Sequence, residues 1–131
     1  MSKPTRHDAD ILLRLAELSV LYNTPAVATF VLSDDFPTDF ARFRQKFPRG
    51  KRSDEENLLH RFLAYFELAG TLYRNGLISG DLMFDWMDVT GAWDRVKGYA
   101  LGLRQEMEDP SQSENFEYAA EQARSWKPKR P

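Results

Sequence analysis

The sequence predicts an all-α fold, a compact bundle of about six or seven helices around a long central helix at about residues 54–75. Apolar residues recur at intervals of three and four along most of the chain, which places them on one face of successive helices. No segment combines sustained alternation of apolar and polar residues with β-branched enrichment, as a strand would. We therefore expect a single helical domain over residues 1–131, with flexible ends at 1–7 and 127–131.

The first two predicted helices are short. We expect the first to run from a cap at Asp8 or Asp10 to about Tyr22, because its apolar residues keep helical spacing over that stretch. The second opens with Thr24 as its cap and Pro25 at the first helical position, where the missing N–H of proline costs nothing.

The third predicted helix carries an aromatic stripe. It begins near residues 37–38 and ends at Pro48, because proline and the nearby Gly50 stop a helix. Phenylalanines at intervals of four, three and four residues share one face, which we expect to point into the core: Phe36, Phe40, Phe43 and Phe47.

The central helix has the strongest sequence signals. Ser53 and Glu56 form a Ser-x-x-Glu capping box at its start, and Asn75 followed by Gly76 predicts its end. Its apolar residues span about half of the circumference of the helix. So wide an apolar arc requires neighbouring helices on two sides.

Two positions of the central helix differ from their surroundings. Leu68 falls among polar residues on the helical wheel, so we expect it to be exposed and available to a partner or a second copy. Gly70 lies on the buried arc, where glycine is unfavourable in a helix unless another element packs closely against it. A close helix crossing is therefore predicted at Gly70.

Three further helices are expected after the central one. Ser79 can cap the first of them, and Ser111 with Glu114 forms a second capping box before the last. The predicted helices cover about residues 80–87, 93–107 and 114–126.

Positive charge is concentrated in one segment. The formal net charge of the chain is -2, yet residues 42–52 hold six bases and no acid. The helical wheel turns Arg42 and Lys46 away from the phenylalanine stripe, so the charges rather than the rings are presented to the surroundings. The candidate partner-binding residues of this segment are Arg42, Arg44, Lys46, Arg49, Lys51 and Arg52.

Three interpretations of the basic segment are open at this point. It can contact the acidic surface of a protein partner, or it can be a solvated face that binds nothing. It can also neutralise the phosphates of a nucleic acid together with the basic tail at Lys127, Lys129 and Arg130. Bases interleaved with aromatic residues are typical of single-strand binding, but the rings here lie at core spacing.

Other candidate sites have weaker support in the sequence. Asp81, Asp85 and Asp88 would lie on one side of a helix and could hold a magnesium-like ion, although acids at a helix start also favour the helix dipole. His60 lies four residues after Glu56 and could act as a general base. The chain has no cysteine, which excludes disulfides and thiolate zinc sites. We expect no catalytic residue, no metal, no cofactor and no small-molecule ligand.

A recognisable pattern occupies the middle of the chain, and it is carried by Phe66, Glu67, Gly70, Leu72, Gly76, Leu77, Ile78, Asp81, Leu82, Phe84, Asp85 and Trp86. It resembles a family of short bacterial all-helical proteins catalogued as a domain of unknown function. In that family a Phe-Glu-x-x-Gly helix, a Gly-Leu-Ile turn and an Asp-Leu-x-aromatic-Asp helix recur. The resemblance covers about residues 55–125; it implies an all-α fold and assigns no activity.

These observations favour a non-enzymatic helical interaction module, a protein-binding or self-associating accessory factor of the bacterial cytoplasm. The alternative is a nucleic-acid-associated regulator that uses residues 42–52. A weaker alternative is an enzyme or toxin whose carboxylates, such as Glu67, Asp81 and Asp85, gather in a pocket. No run approaches the roughly 20 apolar residues that cross a bilayer, and the chain does not open with a secretory signal, so we expect no membrane association.

Overall fold

Seven α-helices make up the fold in the computed structural model, which describes residues 3–22, 24–50 and 52–129, and these ranges contain no strand. The predicted all-α class is therefore confirmed. Within the same ranges, no helix combines the length and the hydropathy that a bilayer crossing requires. The helices are α1 (Arg6–Leu21), α2 (Thr24–Val31), α3 (Phe40–Lys46), α4 (Asp54–Arg74), α5 (Gly80–Trp86), α6 (Val89–Glu106) and α7 (Glu114–Arg124).

The central helix α4 is one continuous rod, as the sequence predicts. Ser53 caps its start, where the hydroxyl oxygen accepts a hydrogen bond from the backbone N–H of Glu56 at 3.1 Å. Its end is at Asn75, and the following Gly76 has a φ of 73°. The helices α7 and α2 pack against α4 most extensively, and α1 also contacts it.

The hydrophobic core between α4, α6 and α7 is largely aromatic. Trp93 and Tyr99 of α6 are almost completely buried, and so is Phe116 of α7. The ring of Phe116 stacks on that of Phe66 from α4, with the ring centroids 4.8 Å apart. Contacts of this kind stabilise the bundle beyond the area they bury.

A close backbone approach holds α3 against α6. Gly98 of α6 lies where a Cβ atom would overlap the carbonyl oxygen of Thr38, in the loop before α3. Asp39 then caps α3, its carboxylate accepting a hydrogen bond from the backbone N–H of Arg42 at 3.2 Å. The basic segment is thereby placed beside the C-terminal half of α6.

The cap of α1 differs from the prediction, whereas Ser79 is the N-cap residue of α5, as predicted. Thr5 rather than Asp8 or Asp10 caps α1, and Asp8 completes a capping box with Thr5. The other carboxylate oxygen of Asp8 accepts a hydrogen bond from the backbone N–H of Ser79 at 2.7 Å. The side chain of Ser79 makes no capping bond to α5, and its hydroxyl oxygen is buried without a hydrogen-bond partner in the described part of the chain.

The start of α7 is also different from the prediction. Ser113, not Ser111, precedes the helix with a left-handed backbone, φ 59°, and its side chain makes no capping hydrogen bond. The capping box predicted from Ser111 and Glu114 is therefore wrong, and the N–H groups at this helix start find another acceptor, described below.

The predicted flexible ends fall partly outside the described residues, because residues 1, 2, 130 and 131 lie outside them. Inside the described part, α1 already begins at Arg6. At the other end, the ammonium group of Lys129 lies 3.7 Å from a carboxylate oxygen of Asp81.

Candidate partner-binding surface

The aromatic side of the basic segment faces the core, as the helical wheel predicts. Phe43 is fully buried and Phe36 is 5 % exposed, while Phe40 and Phe47 are partly buried against the same cluster. The centroid of the Phe43 ring lies 4.6 Å from that of Tyr99 on α6. The phenylalanine stripe therefore serves the core and not a platform on which bases stack.

Arg44 also points inward, where it joins three helices. Its guanidinium donates two hydrogen bonds to Glu106 of α6, at 2.7 and 2.9 Å, and two to Glu56 of α4, at 2.9 and 3.0 Å. These bonds, those to Glu106 foremost, raise the pKa of Arg44 further above its ordinary value. With 17 % of its side chain exposed, Arg44 is a cross-link within the fold.

Glu56 is the centre of this network, although the sequence assigns it to a capping box. It is 4 % exposed, and the hydroxyl of Tyr99 donates a hydrogen bond to it beside those from Arg44. Burial alone would raise the pKa of Glu56, but the hydrogen bonds from Arg44 and Tyr99 outweigh it and hold the pKa below its ordinary value of 4.5. The predicted box at Ser53 is thus half formed, since the carboxylate of Glu56 is engaged elsewhere.

His60 extends the network by one further hydrogen bond. Its Nε2 atom lies 2.7 Å from the hydroxyl oxygen of Tyr99. Because the Tyr99 proton is donated to Glu56, the Tyr99 oxygen accepts from His60, and Nε2 of His60 carries the proton. Burial and, next, the charge of Arg52 lower the pKa of His60 below its ordinary value of 6.5. The histidine considered above as a general base is therefore a donor in a buried polar chain.

Four cations of the segment are exposed, and we call them the basic surface: Arg42, Lys46, Arg49 and Arg52. Among the described residues, one carboxylate lies within 4.0 Å of this group, with Glu106 Oε1 at 3.8 Å from Nε of Arg49. The side chain of Arg49 is 72 % exposed. Lys51, also predicted as a partner-binding residue, lies outside the described residues.

The basic surface has two halves, which border different cavities. Arg42 and Lys46 border a cleft that also contains Asp34 and Asp35. Arg49 and Arg52 border a different cavity, at the C-terminal end of α6. The four exposed bases are thus separated in space into a mixed-charge half, Arg42 and Lys46, and an arginine half, Arg49 and Arg52.

The cavity beside the arginine half has a volume of about 220 Å³, and we call it the arginine notch. It is lined by Arg49, Gly50 and Arg52 from the basic segment and by Leu103 and the half-exposed Met107 from the C-terminal end of α6. The remaining lining residues belong to the buried network: Arg44, Glu56 and Glu106.

Leu68 is partly buried and packs against the hydrophobic core, so its predicted exposure is wrong. The helices α1, α2 and α7 all contact α4. An isolated helical wheel does not show how far neighbours reach around the polar arc. The role of Leu68 in binding a partner stays a prediction.

The Phe-Glu-x-x-Gly pattern joins α4 to the start of α7. One carboxylate oxygen of Glu67 accepts hydrogen bonds from the backbone N–H groups of Asn115 and Phe116, at 3.0 and 2.9 Å, and the other accepts from the Asn115 side chain at 2.9 Å. At Gly70, a Cβ atom would overlap the carbonyl oxygen of Asn115. Glu67 is therefore the cap of α7, supplied from another helix, and the predicted close crossing at Gly70 is confirmed.

Three of the carboxylates named as candidate metal or catalytic groups, Glu67, Asp81 and Asp88, have separate partners. Asp81 accepts a hydrogen bond from the indole N–H of Trp126 at 2.9 Å, and Asp88 caps α6 by accepting from the N–H of Gly91 at 2.9 Å. Glu67 binds the start of α7, whereas Trp126 follows its end, so Glu67 and Asp81 do not converge. Within the described ranges, no three histidine, aspartate or glutamate side chains are arranged to hold a metal ion.

Comparison with known protein families identifies the family of this chain. The model of a protein family described as Domain of unknown function (DUF4760) matches residues 4–126, which extends the likeness well beyond residues 55–125. Searches of curated proteins and of solved structures found no match. The chain therefore belongs to this family of domains of unknown function.

Proposed function

We propose that this domain is a protein-interaction module that binds an acidic partner through the basic surface. The observation that supports the proposal is the division of side chains in residues 42–52. The aromatic rings and Arg44 are directed into the fold, whereas Arg42, Lys46, Arg49 and Arg52 remain exposed. Among the described residues, one carboxylate lies within 4.0 Å of these cations, and exposed cations of this kind favour association with a surface of opposite charge.

A protein partner fits this surface better than a nucleic acid does. Sequence-independent binding of single strands combines cations with aromatic rings on which bases stack, and here the rings pack in the core. Asp34 and Asp35 border the same cleft as Arg42 and Lys46, and they would repel a continuous phosphate backbone. A protein surface instead offers separate carboxylates that can approach the cations and avoid the acids.

The buried network supports the proposal by fixing the position of the cations. Arg44 ties α3 to both α4 and α6, so Arg42 and Lys46 project from a helix that is cross-linked to its neighbours. A surface that is already ordered loses less conformational entropy when it binds.

Capture of partners by tagged protein tests the proposal. We expect a partner retained by the wild-type domain to be lost when Arg42, Lys46, Arg49 and Arg52 are all changed to glutamate. The matched control is Arg14→Glu with Arg61→Glu, two exposed arginines on α1 and α4. Equal retention by the basic-surface variant and the wild type would contradict the proposal.

Two additional measurements separate the alternatives. Titration with a single-stranded oligonucleotide at two salt concentrations tests the nucleic-acid regulator, for which binding has to weaken steeply with salt. Solution mass as a function of concentration tests self-association. A salt-sensitive oligonucleotide complex that the glutamate variant abolishes, with no protein partner captured, would favour the regulator.

A further inference from the structure

We propose that the arginine notch receives one glutamate side chain of the partner, held by the guanidinium groups of Arg49 and Arg52. This inference rests on the proposed function and assigns the partner chemistry at one half of the basic surface. It commits to a side-chain carboxylate as the ligand.

Arg49 and Arg52, and not Arg44, have guanidinium groups available to a ligand. Arg44 donates to four carboxylate oxygens and to the carbonyl of Phe47, so its guanidinium is already engaged. Arg49 approaches Glu106 at 3.8 Å, which is too long for a hydrogen bond. An incoming carboxylate therefore meets Arg49 and Arg52 and not Arg44.

Charge in the notch favours an anion. Three guanidinium groups and two carboxylates line it, which leaves one positive charge in excess. Both carboxylates, those of Glu56 and Glu106, are bound by Arg44 on their inner side. The charge of Arg52 also acts on the interior, since it contributes to the lowered pKa of His60.

Size and lining indicate a glutamate. At about 220 Å³ the notch is smaller than the cavities of roughly 300–1,000 Å³ that hold drug-sized ligands. Leu103 and Met107 form an apolar wall on which the methylene groups of a glutamate side chain can pack. Arginine clusters recognise acidic side chains through paired N–H donors, whereas chain termini are usually captured by backbone N–H groups.

Titration with short peptides, followed by two-dimensional NMR, tests the assignment. The probe is Ala-Leu-Glu-Leu-Ala, acetylated and amidated so that glutamate carries its single carboxylate. We expect saturable shifts around the notch and a rise in the pKa of His60, because a bound carboxylate offsets the charge of Arg52. The same peptide with glutamine in place of glutamate should bind about tenfold more weakly.

Two matched variants locate the binding site. Arg49→Gln with Arg52→Gln should abolish both the shifts and the change at His60, whereas Arg42→Gln with Lys46→Gln should preserve them. All four side chains are exposed, and the spectrum away from the notch reports whether each variant is folded. Glutamate-peptide binding that survives loss of Arg49 and Arg52 would overturn the assignment.

Other ligands give distinct outcomes. Inorganic phosphate that binds as tightly as the glutamate peptide, or a peptide with a free carboxyl terminus and no glutamate that binds more tightly, would overturn the assignment. Failure of the notch is also distinguishable from failure of the proposed function. If partner capture is lost on reversal of Arg42 and Lys46 but not of Arg49 and Arg52, the module stands and the notch assignment falls.

Discussion

The central helix α4 holds its neighbours with two glutamates that work in different ways. Glu67 accepts hydrogen bonds from neutral N–H groups of Asn115 and Phe116 at the start of α7. Glu56 is bound by the guanidinium of Arg44 and the hydroxyl of Tyr99, between α3 and α6. Both carboxylates fix a helix that is distant in sequence, but only the second contact is built on opposite charges.

The consequences at the surface differ accordingly. At Glu67, neutral donors satisfy the carboxylate, and Gly70 lets the two backbones meet, so the contact is explained by stability alone. At Glu56, the guanidinium of Arg44 forms ion pairs with two carboxylates, those of Glu56 and Glu106. The other cations of the segment that the structure describes are exposed and form the basic surface. This contrast shows that Arg44, one of the bases of residues 42–52, has a structural role within the fold.

The largest expected effect comes from removing the charge at the centre of the second contact. Arg44→Met leaves Glu56, which is 4 % exposed, beside Glu106 without a cation between them. We expect a loss of about 4 kcal/mol in the free energy of unfolding, because an uncompensated buried charge is costly. Urea denaturation measures it. Arg42→Met, on the exposed side of the same helix, is the control and should leave stability almost unchanged; equal losses would mean that Arg44 is not a cross-link.

The backbone contact at the first glutamate gives the next largest effect. Gly70→Leu forces a side chain into the carbonyl of Asn115, and we expect a loss of about 3 kcal/mol. Thr71→Leu, one residue along, removes hydrogen bonds to Glu67 and Asn115 without a backbone clash and should cost about 1 kcal/mol. Similar melting temperatures for the two variants would show that the crossing is not close.

The sequence predicted what depends on local spacing. The continuous α4, the inward phenylalanine stripe and the stop at Gly76 all follow from intervals of three and four residues or from a single backbone preference. The outward direction of Arg42 and Lys46 follows in the same way. The close crossing at Gly70 could also be predicted from the sequence, because glycine on the buried arc of a helix is unfavourable unless another element packs closely against it.

Contacts between residues that are distant in sequence could not be predicted from local spacing. Glu56 occupies the third helical position after Ser53, which suggests a capping box, and nothing local reveals Arg44 and Tyr99 as its partners. Glu67 lies 48 residues from Asn115, so its capping role appears only when α4 and α7 are side by side. The one available signal was the pattern that places a glutamate three residues before a buried glycine.

Loss of the cap that Glu67 provides to α7 should destabilise the fold less than the clash at Gly70. Glu67→Ala leaves the N–H groups of Asn115 and Phe116 without their acceptor, and we expect a loss of about 2 kcal/mol. Glu67→Gln keeps one acceptor oxygen and should recover about half of that loss. Thermal unfolding compares them, with Glu114→Gln, an exposed change in the first turn of α7, as the control. A Glu67→Gln variant no better than Glu67→Ala would mean that the charge, not the hydrogen bonds, matters at this site.

The smallest expected effect is a pH dependence of stability that comes from His60, in the network around Glu56. The pKa of His60 is lower in the folded protein than its ordinary value of 6.5, mainly because of burial, so the unfolded chain binds a proton more readily. Its contribution to stability is complete above pH 6.5 and is lost as the pH falls from 6.5 through the folded pKa. The lowered pKa values of Glu56 and Glu106 act further down, below 4.5. The unfolding free energies of wild type and His60→Gln should therefore converge as the pH falls below 6.5. The curve of Glu67→Gln should run parallel to that of the wild type over the same range. A parallel His60→Gln curve would place His60 outside the buried network.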